Sequence, residues 1–359
     1  MTESFDFEEE YSGFRLRKVS FILLCIVLIV IASGVSCLVD GRPIGILDVY
    51  RIIWEHLEGA TYEYGTPEYW DDYIVFETRL PRITIAILAG VSLSVCGVAM
   101  QSIMSNPLAD PYTTGISSGA CFGAILAIAI GFTFSSLTGQ SGIVGNAFVM
   151  ALVPALIVVA LSRLVYTSPA TLVLIGTAIS YLFGSLNTLI LVLADEETLS
   201  AAYLWQIGSF DNMLWSEMHI PLIVTVAGSI AMIALSRRMN LMMMGDDEAR
   251  SMGLDAETFR TVILVLVSFM VAAIISYTGI LGFVGLVVPH MIRLIIGSDN
   301  VYILPASMAF GAALLITVDL IARIVVHPSE IPAGIILMFI GGPMFLYLIV
   351  RRKNGGGVY

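Results

Sequence analysis

Residues 245–260 read GDDEARSMGLDAETFR and lie between two long apolar runs, IPLIVTVAGSIAMIALS (220–236) and TVILVLVSFMVAAIISY (261–277). Gly245 breaks the chain. Asp246, Asp247 and Glu248 then fill a first helical turn, where negative side chains complement the positive end of the helix dipole. Gly253 is a C′ stop, and Asp255 is placed to cap a helix running through Thr258 and Phe259 into the next apolar run. The stretch predicts helix–glycine–helix, displaying Ala249, Met252 and Leu254 among charges. Two readings stand: a short rigid knob that docks into a groove of another protein, or a solvated loop with incidental caps.

The surroundings decide what kind of protein carries this stretch. Of 359 residues, 58% are hydrophobic and 13% charged, with mean hydropathy +0.92. Soluble domains carry about 25% charged residues. A membrane-spanning helix needs about 20 mostly apolar residues. About ten such stretches occur, at 19–39, 80–104, 112–132, 143–162, 170–194, 218–236, 259–277, 279–297, 301–322 and 332–350. The fold class is an all-α polytopic membrane protein. The first run is too long for a cleavable signal peptide. Cys25, Cys37, Cys96 and Cys121 lie in or at the ends of apolar runs and read as small hydrophobes, without disulfide or metal spacing.

Ten crossings put both termini on one side. Arg15, Arg17, Lys18, Arg163, Arg237, Arg238, Arg250, Arg260, Arg293, Arg351, Arg352 and Lys353 then share a face, against Arg42, Arg51, Arg79, Arg82 and Arg323 opposite. The positive-inside rule makes the first face cytoplasmic. Residues 1–18 become an acidic cytoplasmic tail, 19–352 the membrane domain with 245–260 on its inner face, and 353–359 a cytoplasmic tail. The net charge of −11 argues against nucleic-acid partners.

The longest outer loop, 39–78, predicts a short interfacial helix with Ile46, Val49, Tyr50, Ile53 and Leu57 on one face and Gly59 as its stop. Its aromatic remainder (61–76) reads as an interface belt or as a contact surface. On the inner side, Pro107 ends one span, while Asp110 and Pro111 open the next. Gly115, Ser117, Ser118, Gly119 and Gly123 serve close helix packing or line a solute path. Asp319 is the one acid deep in an apolar run, and Arg323 lies four residues on, on the same helical face. Arg79 and Arg82 flank Pro81 at an outer helix end with Glu77 the sole acid nearby in sequence, which points to carboxylates of a partner. The two lysines, Lys18 and Lys353, do not follow glycine, so no G-x-x-x-x-G-K-[ST] phosphate loop exists in the chain.

These motifs, in this order, resemble the permease subunits of ABC importers for iron-siderophores, haem and cobalamin, the type II importers. The resemblance runs from Arg79 to Arg352. It rests on RLPR (79–82), GVAMQSIMSNPLADPYTTGISSGA (97–120), GDDEARSMGL (245–254), GFVGLVVPHMIRLIIGSDN (282–300), DLIAR (319–323) and EIPAGIILMFIGGPMFLYLI (330–349). It implies a ten-helix permease, multi-pass in the cell membrane, that imports a large metal chelate with no cofactor and no catalytic residue of its own. Its implied partners are membrane lipid, a second permease copy, two copies of an ABC ATPase subunit, and an extracytoplasmic substrate-binding protein. By resemblance Gly245, Asp246, Glu248, Ala249, Arg250, Met252, Gly253 and Leu254 couple to the ATPase. Asn106, Pro107, Leu108, Thr167 and Ser168 form the cytoplasmic gate, and Arg79, Arg82 and Arg323 face the binding protein.

Two rival classes are weighed. An ATPase-independent secondary transporter or channel normally keeps several buried ionisable groups, where this chain has essentially one paired aspartate. A membrane-embedded enzyme holding magnesium on DDEAR needs a second carboxylate cluster across a cavity, which no other inner loop supplies.

Overall fold

A computed structural model describes residues 7–39, 44–134, 139–162, 168–326 and 328–354. Among these residues the regular structure is helical throughout. The helices are α1 (Phe7–Leu38), α2 (Ile46–Leu57), α3 (Pro67–Asp72), α4 (Leu80–Ile103), α5 (Ile116–Ile130), α6 (Gln140–Ser162), α7 (Pro169–Val192), α8 (Glu196–Ile207), α9 (His219–Met242), α10 (Asp246–Ser251), α11 (Ala256–Thr278), α12 (Val284–Ile296), α13 (Asn300–Ile324) and α14 (Ala333–Asn354). Seven helical runs are long and apolar enough to cross a membrane, and α5, α12 and α14 supply shorter apolar helices. Each of the ten apolar stretches expected from the sequence thus holds a helix. The chain is a multi-pass membrane protein.

The hub is α4, which packs against α9, α11, α12 and α13 and is buried along most of its length. It can sit there because its contact faces are glycine. A Cβ on Gly97 would lie 1.9 Å from the Gly285 carbonyl oxygen of α12, and one on Gly90 would lie 2.3 Å from that of Gly311 on α13. Backbones that close are the membrane solution to packing, since lipid supplies no hydrophobic drive between helices. By contrast α1 turns Leu23, Leu24, Val27, Val30 and Ile31 outward, as a helix facing lipid does.

Three local features differ from the sequence expectation. First, the helix of the second apolar stretch has no free start near residue 80. α3, a π-helical turn (Tyr73–Arg79) and α4 form one helical run from Pro67 to Ile103. The amide of Leu80 reaches back five residues to the Val75 carbonyl, and the widened turn accommodates Pro81, which has no amide to give. Second, Asp110 and Pro111 open a single 3₁₀ turn, Pro111–Thr114. Only after Gly115, at φ 84°, does α5 begin. Third, α12 is only 13 residues long, because Gly279 and Phe283 both take positive φ and break the chain after α11.

The expected helix in the 39–78 loop is α2, ending just before Gly59 at φ 87°. Its inward residues are Val49 and Ile52, whereas Trp54 and Leu57 point outward. His56 clamps α2 to the next segment. Its Nδ1 lies 2.8 Å from Asp72 Oδ1, and its ring stacks on Phe76 with centroids 3.6 Å apart. The Tyr50 hydroxyl donates to the Val30 carbonyl of α1.

Candidate coupling site

Helix α10 sits between the end of α9 and the start of α11 in the arrangement expected. Gly245 takes φ 114° and Gly253 φ 86°, values that glycine adopts without strain. Asp255 accepts from the Thr258 hydroxyl and amide, which hold its carboxyl below the ordinary aspartate range. The outward face is Asp247, Glu248, Arg250 and Met252, the last 61% exposed. One expectation is corrected. Ala249 is not displayed. It is fully buried, because the 3.6-residue period turns it toward the bundle when its charged neighbours face out. Leu254 is half-buried.

Beneath α10 lies a polar cluster that the sequence reading did not assign. Arg260, one turn into α11 and almost wholly buried, places Nη2 2.5 Å from Asp246 Oδ1. Its Nε donates to the Ile103 carbonyl at 3.1 Å. That carbonyl is one of those left without a helical partner at the end of α4. Two residues on, Ser105 (φ 46°) donates its hydroxyl to the Met242 carbonyl at 2.7 Å, at the end of α9. Behind these, Asn300 Nδ2 donates to Ser102 Oγ at 3.0 Å, and the Asn300 backbone amide donates to Asn240 Oδ1 at 2.9 Å. The ends of α4, α9, α11 and α13 are thereby tied by side chains.

The loop leaving α4 carries Asn106, Pro107 and Leu108. Asn106 is exposed, and its Oδ1 accepts from the Leu108 amide at 3.0 Å, a turn that sets the loop's shape. Ser168 caps α7 by accepting from the Thr171 amide at 3.2 Å. Thr167 lies outside the described residues. A Cβ on Gly176 of α7 would come within 1.9 Å of the Thr113 carbonyl, so α7 rests directly on the turn that follows the loop. For the small residues of α5, packing is evident: a Cβ on Gly119 or Gly123 would strike the α6 backbone at Met150 or Asn146. It is α7 that offers an open polar wall. Ser180, Tyr181, Gly184, Ser185 and Thr188 line a groove of ≈ 460 Å³, with Tyr181 75% exposed.

The arginines gather at the other end of α4, where the pairing of Asp319 with Arg323 that their spacing suggests is present and Arg82 joins it unforeseen. Arg82 is 7% exposed. Its Nη2 and Nε meet Asp319 at 2.8 and 3.0 Å, and Nη1 meets Glu330 Oε2 at 2.7 Å and Asp211 Oδ1 at 3.5 Å. Arg323, 1% exposed, lies with Nε 3.4 Å from the same Asp319 and donates from Nη2 to the Ser36 carbonyl at 3.0 Å. The expectation that carboxylates for Arg82 come from another protein is therefore corrected: three come from this chain, two of them from loops distant in sequence. Arg323 is likewise turned inward. Arg79, half-buried, stands beside this cluster.

The described residues thus form a bundle of ten apolar helices, with the glycine-bounded helix α10 tied through Arg260 to one end of the hub helix. The chain belongs to the FecCD transport family, whose profile matches residues 23–351. It is 37% identical over 295 residues to the cobalamin import system permease protein BtuC of Halobacterium salinarum, covering 82% of this chain and 78% of that one. It is 36% identical over 282 residues to the hemin transport system permease protein HmuU of Yersinia pestis, covering 79% and 84%. Among solved structures, a metal-chelate type ABC transporter in an inward-facing conformation superposes with TM-score 0.78 at 29% identity, covering 92% of this chain and 99% of that one.

Proposed function

We propose that the chain is the membrane permease of an ABC importer that takes a large metal chelate (haem, cobalamin or a ferric siderophore) from an extracytoplasmic binding protein. Hydrolysis belongs to a separate ATPase, two copies of which serve two copies of the permease. The observation that carries this reading is α10: a glycine-bounded helix presenting charges and Met252 outward, its buried face anchored by Ala249 and Asp246. A solvated loop has no use for that anchoring.

The positive-inside rule assigns the α10 end and both termini to the cytoplasm, and the end bearing α2, α3 and α8 to the outside. In that orientation Asn106, Pro107, Leu108 and Ser168 border the inner opening, and Met252, with Glu248 and Arg250, meets the ATPase. The exposed face of α7, with its hydroxyl-lined groove, is the side on which a second copy encloses a path. The chelate class is drawn from the hemin and cobalamin permeases to which the chain is similar.

Reconstitution tests this. The chain, its ATPase and its binding protein are placed in liposomes, and haem, cobalamin and a ferric siderophore are offered in turn. ATP-dependent accumulation of one chromophore is expected. Accumulation by the chain alone, driven by an ion gradient, would instead make it a secondary carrier.

A further inference from the structure

Asp246, Arg260 and Ile103 form an unbroken bridge from α10 to the residue at which α4 gives way to the loop bearing Asn106 and Leu108. A second bridge, Ser105 to Met242, joins the same loop to the last residue of α9. Both start within the short segment 242–246 and both end within 103–105. We propose that Arg260 is a positioning residue for transport, and that these two parallel bridges carry movement of α10 into the 104–110 loop. The proposal rests on α10 being the ATPase-docking element.

The chemistry suits a mechanical link. A guanidinium is a planar fork whose donors hold fixed angles, so Nη2 on Asp246 and Nε on Ile103 cannot shift independently. Arg260 is almost wholly buried, which leaves water little access to replace either partner when α10 moves, and an unpaired buried charge is strongly disfavoured. The Ile103 carbonyl is a helix-end acceptor, where a cation is doubly favoured by hydrogen bond and dipole. Ser105 is held at φ 46°, an unusual conformation for serine, so its bond to Met242 fixes the loop's exit direction. The loop beyond is itself stiff, through Asn106 to Leu108 and Asp110 to Tyr112 at 2.7 Å. Displacement of its first residues therefore moves Leu108 rather than being absorbed.

The test uses the full complex in liposomes with Arg260→Lys, which keeps the charge but cannot span both acceptors, and with Ser105→Ala. Uptake per ATP hydrolysed is measured together with nucleotide-dependent cross-linking of Leu108→Cys between permease copies. Expected are normal ATPase assembly, a coupling ratio about tenfold lower in Arg260→Lys, within the range of a typical coupling free energy, a smaller loss in Ser105→Ala, and cross-linking that no longer follows nucleotide. Should Arg260→Lys fail to fold, Ser105→Ala alone decides. Unchanged coupling ratio and unchanged nucleotide dependence of cross-linking would overturn the proposal in favour of rigid-body movement of the bundle. Failure of the unaltered chain to show ATP-driven uptake would instead overturn the importer reading.

Discussion

Asp319 holds two arginines at once: Arg82 Nη2 lies 2.8 Å and Arg323 Nε 3.4 Å from its carboxylate. One buried acid thus joins α4 to α13, and Glu330 and Asp211 extend the cluster into two loops. A buried ion pair contributes little net stability when intact, but removing one partner strands the other.

Arg82→Glu is therefore expected to act on folding before it acts on docking. Breaking such a pair costs about 3–5 kcal/mol, and the variant should show a lowered thermal transition in detergent and reduced yield. Asp319→Asn should do the same. If Arg82→Glu folds as well as the unaltered chain and loses only affinity for the binding protein, the arginine acts on the surface after all.

Arg79 behaves differently. It is half-buried at the rim of the cluster, so Arg79→Glu is expected to leave the thermal transition close to the parent value. The change should appear as slower association with the binding protein, with a rate that falls less steeply as salt is added, because an attractive rim charge has been replaced by a repulsive one. Surface-immobilised permease and a salt titration give the measurement.

Two apolar residues at α10 separate, Ala249 within the helix and Met252 just past its end. Met252→Glu, on the exposed side, should weaken ATPase co-purification while the permease remains folded. Ala249→Glu forces a charge into a filled site, and should dislodge α10 and lower the thermal transition together with assembly. Equal behaviour of the two variants would mean that α10 has no inner and outer face.

The purified chain alone is expected to release no phosphate from ATP, since neither Lys18 nor Lys353 lies in a phosphate-binding loop. Adding the ATPase subunit should restore hydrolysis. A colorimetric phosphate assay on ATPase-free protein decides it.

Gly97→Ala tests the hub. The new methyl would overlap the Gly285 carbonyl, 1.9 Å away, and backbone cannot rotate aside as a side chain can. Overpacking typically costs about 1–3 kcal/mol, and rigid backbone puts this site at the upper end. Gly145→Ala in α6, where a Cβ meets open space, is the matched control and should be neutral.

The helices were legible because twenty apolar residues in a row leave a chain few choices, and α10 was legible because its glycines and acids spell out both ends. What stayed hidden were relationships between segments. Nothing near Arg82 in sequence names Asp319, 237 residues away, and nothing near Arg260 names Ile103. Burial of Ala249 needed the neighbouring helices to be in place. Helix α8 did carry a readable signal, with Asp195 capping Thr198 at 2.8 Å and Glu196 and Glu197 in the first turn, but it is too short and too polar to register as a span. The π turn was unreadable for a simpler reason: Tyr73–Arg79 has no composition that distinguishes it from an ordinary turn.

The run from α3 to α4 is sensitive to length more than to identity. An α-helix advances about 100° per residue, so one residue added to or taken from the first turn of α4 would swing everything upstream by roughly that angle. Phe76 would leave the Trp215 indole that now donates to its carbonyl at 2.8 Å, and Asp72 would leave His56. A π turn closes over five residues where an α turn closes over four, so Tyr73–Arg79 takes up a residue that an unbroken α-helix could not, and the segment works as a phase setting between the membrane bundle and whatever meets its outer face.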